Sequence, residues 1–198
     1  MKKIFTVLAI IVLASCGTQK AATSDTPTPP KTPKLANVDQ PVQDFPATAT
    51  LVNGHLSGLA QKSDFNQEPF ATWFNPRYEA YSLDEETKNA LKKGLKGVQI
   101  KAFMGTWCGD SKREVPQFYK MIDEIGFSDK NLTLVTVDRS KKEPAVLVSG
   151  NNIVRVPTFI FYRNGEEIGR YVERPRESLE ADILKIVTGE PYKHSYEN

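Results

Sequence analysis

Cysteine and histidine are scarce in this chain: Cys16, Cys108, His55 and His194 are all there is of either. Two cysteines close one disulfide at most, so a disulfide scaffold is excluded. No two of the four share the spacing of a structural zinc site, and no metal or other cofactor is expected. Cys108 stands apart by its surroundings, Trp107-Cys108-Gly109-Asp110-Ser111. A thiol reacts as the thiolate. At the start of a helix, unpaired N–H groups and the helix dipole favour negative charge. An isolated Cys is commonly a small buried hydrophobe. After Trp, before Gly and at a helix start, Cys108 is expected instead to be partly exposed and reactive. The Asp110 carboxylate opposes the helix terminus, and Lys112 and Arg113 oppose Asp110 in turn.

The elements around Cys108 follow from periodicity and punctuation. Ser82-Leu83-Asp84-Glu85 fits a capping box with Ser82 as N-cap, opening a helix to about Lys96 that Gly97 ends. Val98 to Met104 alternates as a strand, with Val98, Ile100, Ala102 and Met104 on one face. A helix from about Cys108 to Ile125 carries one apolar stripe at Val115, Phe118, Tyr119, Ile122 and Ile125. Leu132 to Val137 is the next strand, and Pro144 opens a short helix through Val148. Strands over Thr158–Tyr162 and Glu166–Val172 flank the hairpin turn Arg163-Asn164-Gly165. Pro175 suits helix position N1, and residues 176–188 form a last helix.

This order, with Trp107-Cys108-Gly109-Asp110-Ser111, closely resembles the thioredoxin family over about residues 82–188. Pro116, eight residues after Cys108, matches the proline of the family's active-site helix. Val156-Pro157-Thr158 matches the family's cis-proline at a strand start, and Asn164-Gly165 its hairpin turn. The resemblance implies an α/β fold: a thioredoxin-like three-layer sandwich, a central mixed sheet with helices on both faces. It also implies a site in which Cys108 is the nucleophile and Ser111 a hydrogen-bonding partner. Trp107, Gly109, Asp110, Val156 and Pro157 would then meet the substrate. Sites in such sheets gather beyond the carboxyl ends of parallel strands, where Cys108 and Asp138-Arg139 should both lie.

The departures matter as much. Ser111 stands where the family has its second Cys, which resolves the mixed disulfide. Ala102 stands where the family has a buried acid that assists resolution. Both features of the second half-reaction are missing together, which points to a monothiol variant. A peroxiredoxin needs Thr or Ser where this chain has Gly105, and Pro where it has Lys101. A papain-like pair fails because neither His has a supporting context.

The sequence begins MKKIFTVLAIIVLASCG. Lys2 and Lys3 precede the run Ile4 to Leu13, apolar except for Thr6. Ten residues of helix span about 15 Å, half a bilayer core, so residues 1–15 read as a signal peptide and not a membrane span. Leu13-Ala14-Ser15-Cys16 resembles the lipobox of bacterial lipoproteins. The resemblance implies cleavage before Cys16, a lipidated Cys16 sulfur and anchoring of the exported protein in a bacterial cell envelope. Residues 16–48, rich in Thr, Pro, Ala, Ser and Lys, read as a disordered tether. Residues 49–81 hold six aromatics between Phe65 and Tyr81, and read as an extension packed on the domain or as rings lining a groove beside Cys108. The domain proper is expected over 82–190, with a tail at 191–198.

Without residues 1–15, 24 basic side chains face 24 acidic ones, which gives no electrostatic reason to bind nucleic acid. The expected partners are protein disulfides or thiols and an external reducing thiol. The function expected is thiol–disulfide exchange, as an oxidoreductase or isomerase, through one cysteine. The competing reading is a membrane-anchored module that holds partners at the Pro157 edge, or senses redox state, without turnover. A purely structural lipoprotein is a third.

Overall fold

The computed structural model describes residues 49–197. The expected signal peptide, Cys16 and tether lie outside the described residues. The chain runs β1 (Thr50–Val52), β2 (His55–Ala60), α1 (Ala71–Ala80), α2 (Glu85–Gly94), β3 (Val98–Met104), α3 (Gly109–Glu124), β4 (Leu132–Thr136), α4 (Ala145–Val148), β5 (Thr158–Arg163), β6 (Glu166–Val172) and α5 (Leu179–Thr188). Short 3-10 turns sit at Lys62–Asn66 and Asp129–Asn131.

Six strands form one sheet in the order β1-β2-β4-β3-β5-β6. Only β3 and β4 pair in parallel, with Ala102 opposite Leu134; the other pairs are antiparallel, so the sheet is mixed. Strand side chains alternate between faces, and the sequence uses both. Val98, Ile100, Ala102 and Met104 of β3 face one core, with Leu134, Phe159, Phe161 and Tyr171. That core is roofed by Phe74 of α1, Leu91 of α2, Val115, Phe118 and Ile122 of α3, and Ile183, Ile186 and Val187 of α5. Phe118 stacks on Phe159 at 4.2 Å between centroids, and Phe159 on Tyr171 at 5.4 Å. Phe103, Val135, Val137, Ile160 and Tyr162 face the other side, where Val148 of α4, Ile153 and Val156 cover them. This is the α/β sandwich with helices on both sides of a mixed sheet.

Segment 49–81 supplies two strands of that sheet and a helix of its first layer. Phe65, Phe70 and Phe74 are buried. Phe65 stacks on Phe74 at 5.2 Å, and Phe74 meets Tyr119 of α3 at 5.9 Å. Burying each such ring contributes about 1.5–3 kcal/mol. Tyr78 donates its hydroxyl to Asp123 at 2.6 Å, and Lys62 pairs with the same carboxylate.

Two expected helix starts are displaced. The N-cap of α2 is Asp84, not Ser82: the Asp84 carboxylate accepts from the Thr87 N–H at 2.8 Å and from the Thr87 hydroxyl at 2.7 Å. Leu83 is held in the extended lead-in by Glu124, which accepts its N–H at 3.4 Å. The last turn of α2 closes at Gly94 rather than Lys96. Helix α5 starts at Leu179, not 176, because Ser178 caps it, and Asp182 accepts the N–H groups of Arg176 and Glu177. Those two bonds hold residues 176–177 in a turn outside the helix. The β5–β6 hairpin closes through Asn164 at φ 53° and Gly165 at φ 79°, a left-handed pair that matches the twist of the strands.

Candidate active site

Four chain segments meet at one edge of the sheet. β3 and β4 end there, β5 begins there, and antiparallel β2 begins there with His55 and Leu56. The link from β3 into α3 is a four-residue turn, Gly105 to Cys108, closed by the Cys108 N–H donating to Gly105 O at 2.9 Å. Cys108 is the N-cap of α3, in extended backbone, and its carbonyl takes the first helical bond from Lys112 at 3.0 Å. Its side chain is half-buried, and its thiol donates to Val156 O at 3.2 Å. The Val156–Pro157 peptide is cis. Cys108 and Val156 therefore touch directly, and Pro157 follows at the start of β5. Among the described residues Cys108 is the only cysteine, and no three His, Cys, Asp or Glu side chains gather as a metal site would need.

Ser111 is wholly buried, and its hydroxyl oxygen accepts the Gly105 N–H at 3.2 Å. Among the described residues no hydrogen bond joins Ser111 to Cys108. The side chain at this position braces the turn that carries the thiol. Gly109 is exposed beside Cys108. Asp110 is partly exposed and held by Arg113 at 2.7 Å, so a cation offsets its charge. Ala102 is fully buried between Leu134 and Phe159. The buried acid of α3 is elsewhere, at Glu114, 3% exposed and paired with Arg113 at 2.7 Å. Burial pushes its carboxyl above the ordinary carboxylate range, and the Arg113 guanidinium opposes that rise without cancelling it.

Trp107 covers the turn. Its indole N–H donates to Val137 O at 2.8 Å, and its ring lies against Gly105, where an added Cβ would come within 2.4 Å of the indole. Gly105 is thus required by close approach. The Arg139 guanidinium sits 5.2 Å and the Lys141 ammonium 5.9 Å from the Trp107 ring centre. The loop bearing both is folded around Asp138, whose carboxylate accepts the N–H groups of Ser140, Lys142 and Glu143. Burial works to raise the Asp138 carboxyl, but hydrogen bonding from Ser140, Glu143 and Lys142 outweighs it and brings the group down to about 2.

The structure thus brings Trp107, Cys108, Gly109, Asp110, Ser111, Val156 and Pro157 together, while Cys16 lies outside the described residues. It sets Arg139, expected at this edge, against Trp107, and adds two side chains that no motif announces, Lys141 and His55. Arg139 and Lys141 reach Trp107 from a loop folded by short-range hydrogen bonds to Asp138. His55 sits 3.5 Å from the hydroxyl of buried Thr106, which also accepts the Leu56 N–H at 3.1 Å. Only the β2–β4 pairing puts His55 at this edge.

A family model described as thioredoxin matches residues 60–185. A thioredoxin-like protein of Acanthamoeba polyphaga mimivirus is 31% identical over 96 residues, covering 48% of this chain and 67% of that protein. Thioredoxin of Homo sapiens is 26% identical over 106 residues, covering 52% of this chain and 95% of its own. Among solved structures, oxidized mitochondrial thioredoxin 3 of Saccharomyces cerevisiae aligns at 24% identity and a TM-score of 0.29, over 48% of this chain and 84% of that one. On the match over residues 60–185, the chain belongs to the thioredoxin family, whose chemistry is thiol–disulfide redox exchange.

Proposed function

We propose that this protein performs thiol–disulfide exchange through Cys108 alone, and that an external thiol completes each cycle. The observation that carries this reading is the pairing of a half-buried thiol at a helix start with a buried serine three positions on. In the first step the Cys108 thiolate attacks one sulfur of a substrate disulfide. A new S–S bond forms to Cys108, and the other substrate sulfur leaves as a thiolate. In the second step an external thiolate attacks the mixed disulfide and Cys108 is released. Ser111 has no sulfur to offer, and its hydroxyl is engaged by Gly105. Trp107 and Gly109 flank the thiol, and Val156 and Pro157 border it on the β5 side. A substrate chain laid along that border would meet Cys108 directly. A second thiol of the same substrate could serve as the external one, which makes the same step an isomerisation.

The N-terminal sequence supports an exported form with Cys16 lipidated and residues 16–48 as the tether to a membrane of the bacterial cell envelope. A Cys16 sulfur in a thioether cannot act as a resolving thiol, which leaves Cys108 alone. The test is non-reducing mass spectrometry of the full-length protein recovered from cell envelopes, beside Cys108→Ser. The expected result is thiol-reversible adducts on Cys108, and loss of membrane association in Cys16→Ser. Unmodified Cys108 that also alkylates slowly between about pH 5 and 9 contradicts the exchange reading and favours a module that binds without turnover.

A further inference from the structure

The cations on this side of the fold differ in their partners, and Lys112, one turn beyond Cys108, lies over the Trp73 ring at 5.9 Å. Arg113 is paired with Asp110 and Glu114, Arg155 with Glu173, and Arg170 with Glu167. Arg139 and Lys141 meet no carboxylate among the described residues. Both lie over the Trp107 ring, and Trp107 and Cys108 pack against the same cluster of Phe103, Val137 and Val156. The acid beside the thiol, Asp110, is offset by Arg113. In the loop itself Arg139, Lys141 and Lys142 outnumber Asp138 and Glu143, and the Asp138 carboxylate is turned onto backbone N–H groups, so the face over Trp107 is positive although the chain beyond residue 15 is balanced.

The position of these cations is built. Three N–H groups converge on the Asp138 carboxylate, and the Asp138 N–H donates to Glu143 O at 3.1 Å. Lys141 is left-handed at φ 60°, and its ammonium donates to the backbone Arg139 O at 3.0 Å, which ties the Lys141 side chain to the loop backbone. Fixed, unpaired charge at the mouth of a site selects ligands of opposite sign and speeds their encounter.

We infer that Arg139 and Lys141, held over Trp107 by the Asp138 loop, select disulfide substrates that carry carboxylates beside the attacked sulfur. The occupant is a disulfide-bearing polypeptide segment with acidic residues next to its cysteine. This rests on the exchange reading above. The step is unchanged: Cys108 sulfur bonds to one substrate sulfur, and the other leaves with the electron pair and is protonated by solvent.

The experiment uses three aliphatic disulfides: dithiodipropionate, a dianion; hydroxyethyl disulfide, neutral; and cystamine, a dication. Rates of Cys108 modification in the full-length protein are divided by those of N-acetylcysteine amide with the same probe, which removes intrinsic reactivity. The normalised preference for dithiodipropionate over cystamine should be about tenfold at low ionic strength and shrink toward one in ~0.5 M salt. The double variant Arg139→Gln, Lys141→Gln should cut it at least about threefold. The pair Lys92→Gln, Lys93→Gln removes the same charge from the end of α2, which leads into the opposite end of β3, and should leave the preference intact. A preference at or below one in the unsubstituted protein, or an equal fall in both variants, overturns the inference. A Cys108 that does not react with hydroxyethyl disulfide overturns the exchange reading itself and the inference with it.

Discussion

Ser111→Ala isolates what the residue in the second-cysteine position does. Ser111 is fully buried, so the substitution frees no surface for water. Gly105 is buried as well, and its N–H donates to the Ser111 oxygen at 3.2 Å. With alanine that donor is left without an acceptor. An orphaned buried N–H costs about 1–3 kcal/mol. Removing the buried hydroxyl returns part of its own desolvation cost, so a net loss of roughly 1–2 kcal/mol is expected. With a urea m-value of about 2 kcal/mol/M for a domain of this size, the midpoint should fall by roughly 0.5–1 M at unchanged m. Unfolding can be followed by the emission of Trp73 and Trp107. Amide exchange at Gly105 gives a local readout, because the lost bond belongs to that N–H. A midpoint within about 0.1 M of the unsubstituted protein, together with unchanged Gly105 exchange, refutes the brace.

Gly105→Ala should be costlier, because the new Cβ meets the indole at 2.4 Å and displaces Trp107 from Val137 O. Overpacking and the lost bond together predict about 2–4 kcal/mol in urea unfolding, with a shift in Trp107 emission. For the Asp138 loop, the folded group titrates near 2 and the unfolded one near 3.9, so its contribution to stability is present above about pH 4 and is lost as pH falls through about 2. Trp107 fluorescence in an acid titration should show that loss in the native protein and not in Asp138→Asn. Ser111→Cys should convert single exchange into dithiol reduction, measured as insulin precipitation with dithiothreitol as donor. Its rate should stay below that of a complete thioredoxin site, because Ala102 supplies no buried acid.

Much of the site was legible because its signals are local. An alternating strand followed by Trp107, Cys108 and an apolar helical stripe places the thiol at a helix start without any tertiary information. Pro157 before a run of β-branched and aromatic residues, and Asn164-Gly165 between two strands, mark β5 and β6 in the same way. What was not legible depends on distant partners. Ser82 and Asp84 both fit an N-cap, and the choice is made by Glu124 holding the Leu83 N–H. Asn53-Gly54 is a turn signal, but Leu51 and Val52 beside it are 64% and 51% exposed, so no buried alternation fixes β1. The antiparallel pairing of β2 with β4, which brings His55 to the site, crosses more than seventy residues of chain. Arg139 is expected at this edge because it follows β4, whereas Lys141 reads in sequence as a loop cation; what the sequence does not show is their contact with Trp107, thirty-odd residues earlier in the chain. The six aromatics before residue 82 share no period because Phe65, Phe70 and Phe74 pack on one another as much as on α3.

The central claim is that Cys108 begins exchange and cannot finish it. It is tested most directly by loading the full-length protein with hydroxyethyl disulfide, removing the excess, and following the intact mass under non-reducing conditions. A single adduct on Cys108 is predicted, persisting without added thiol and discharged by dithiothreitol at a rate proportional to its concentration. Discharge in the absence of any external thiol, or failure of the adduct to form, contradicts it.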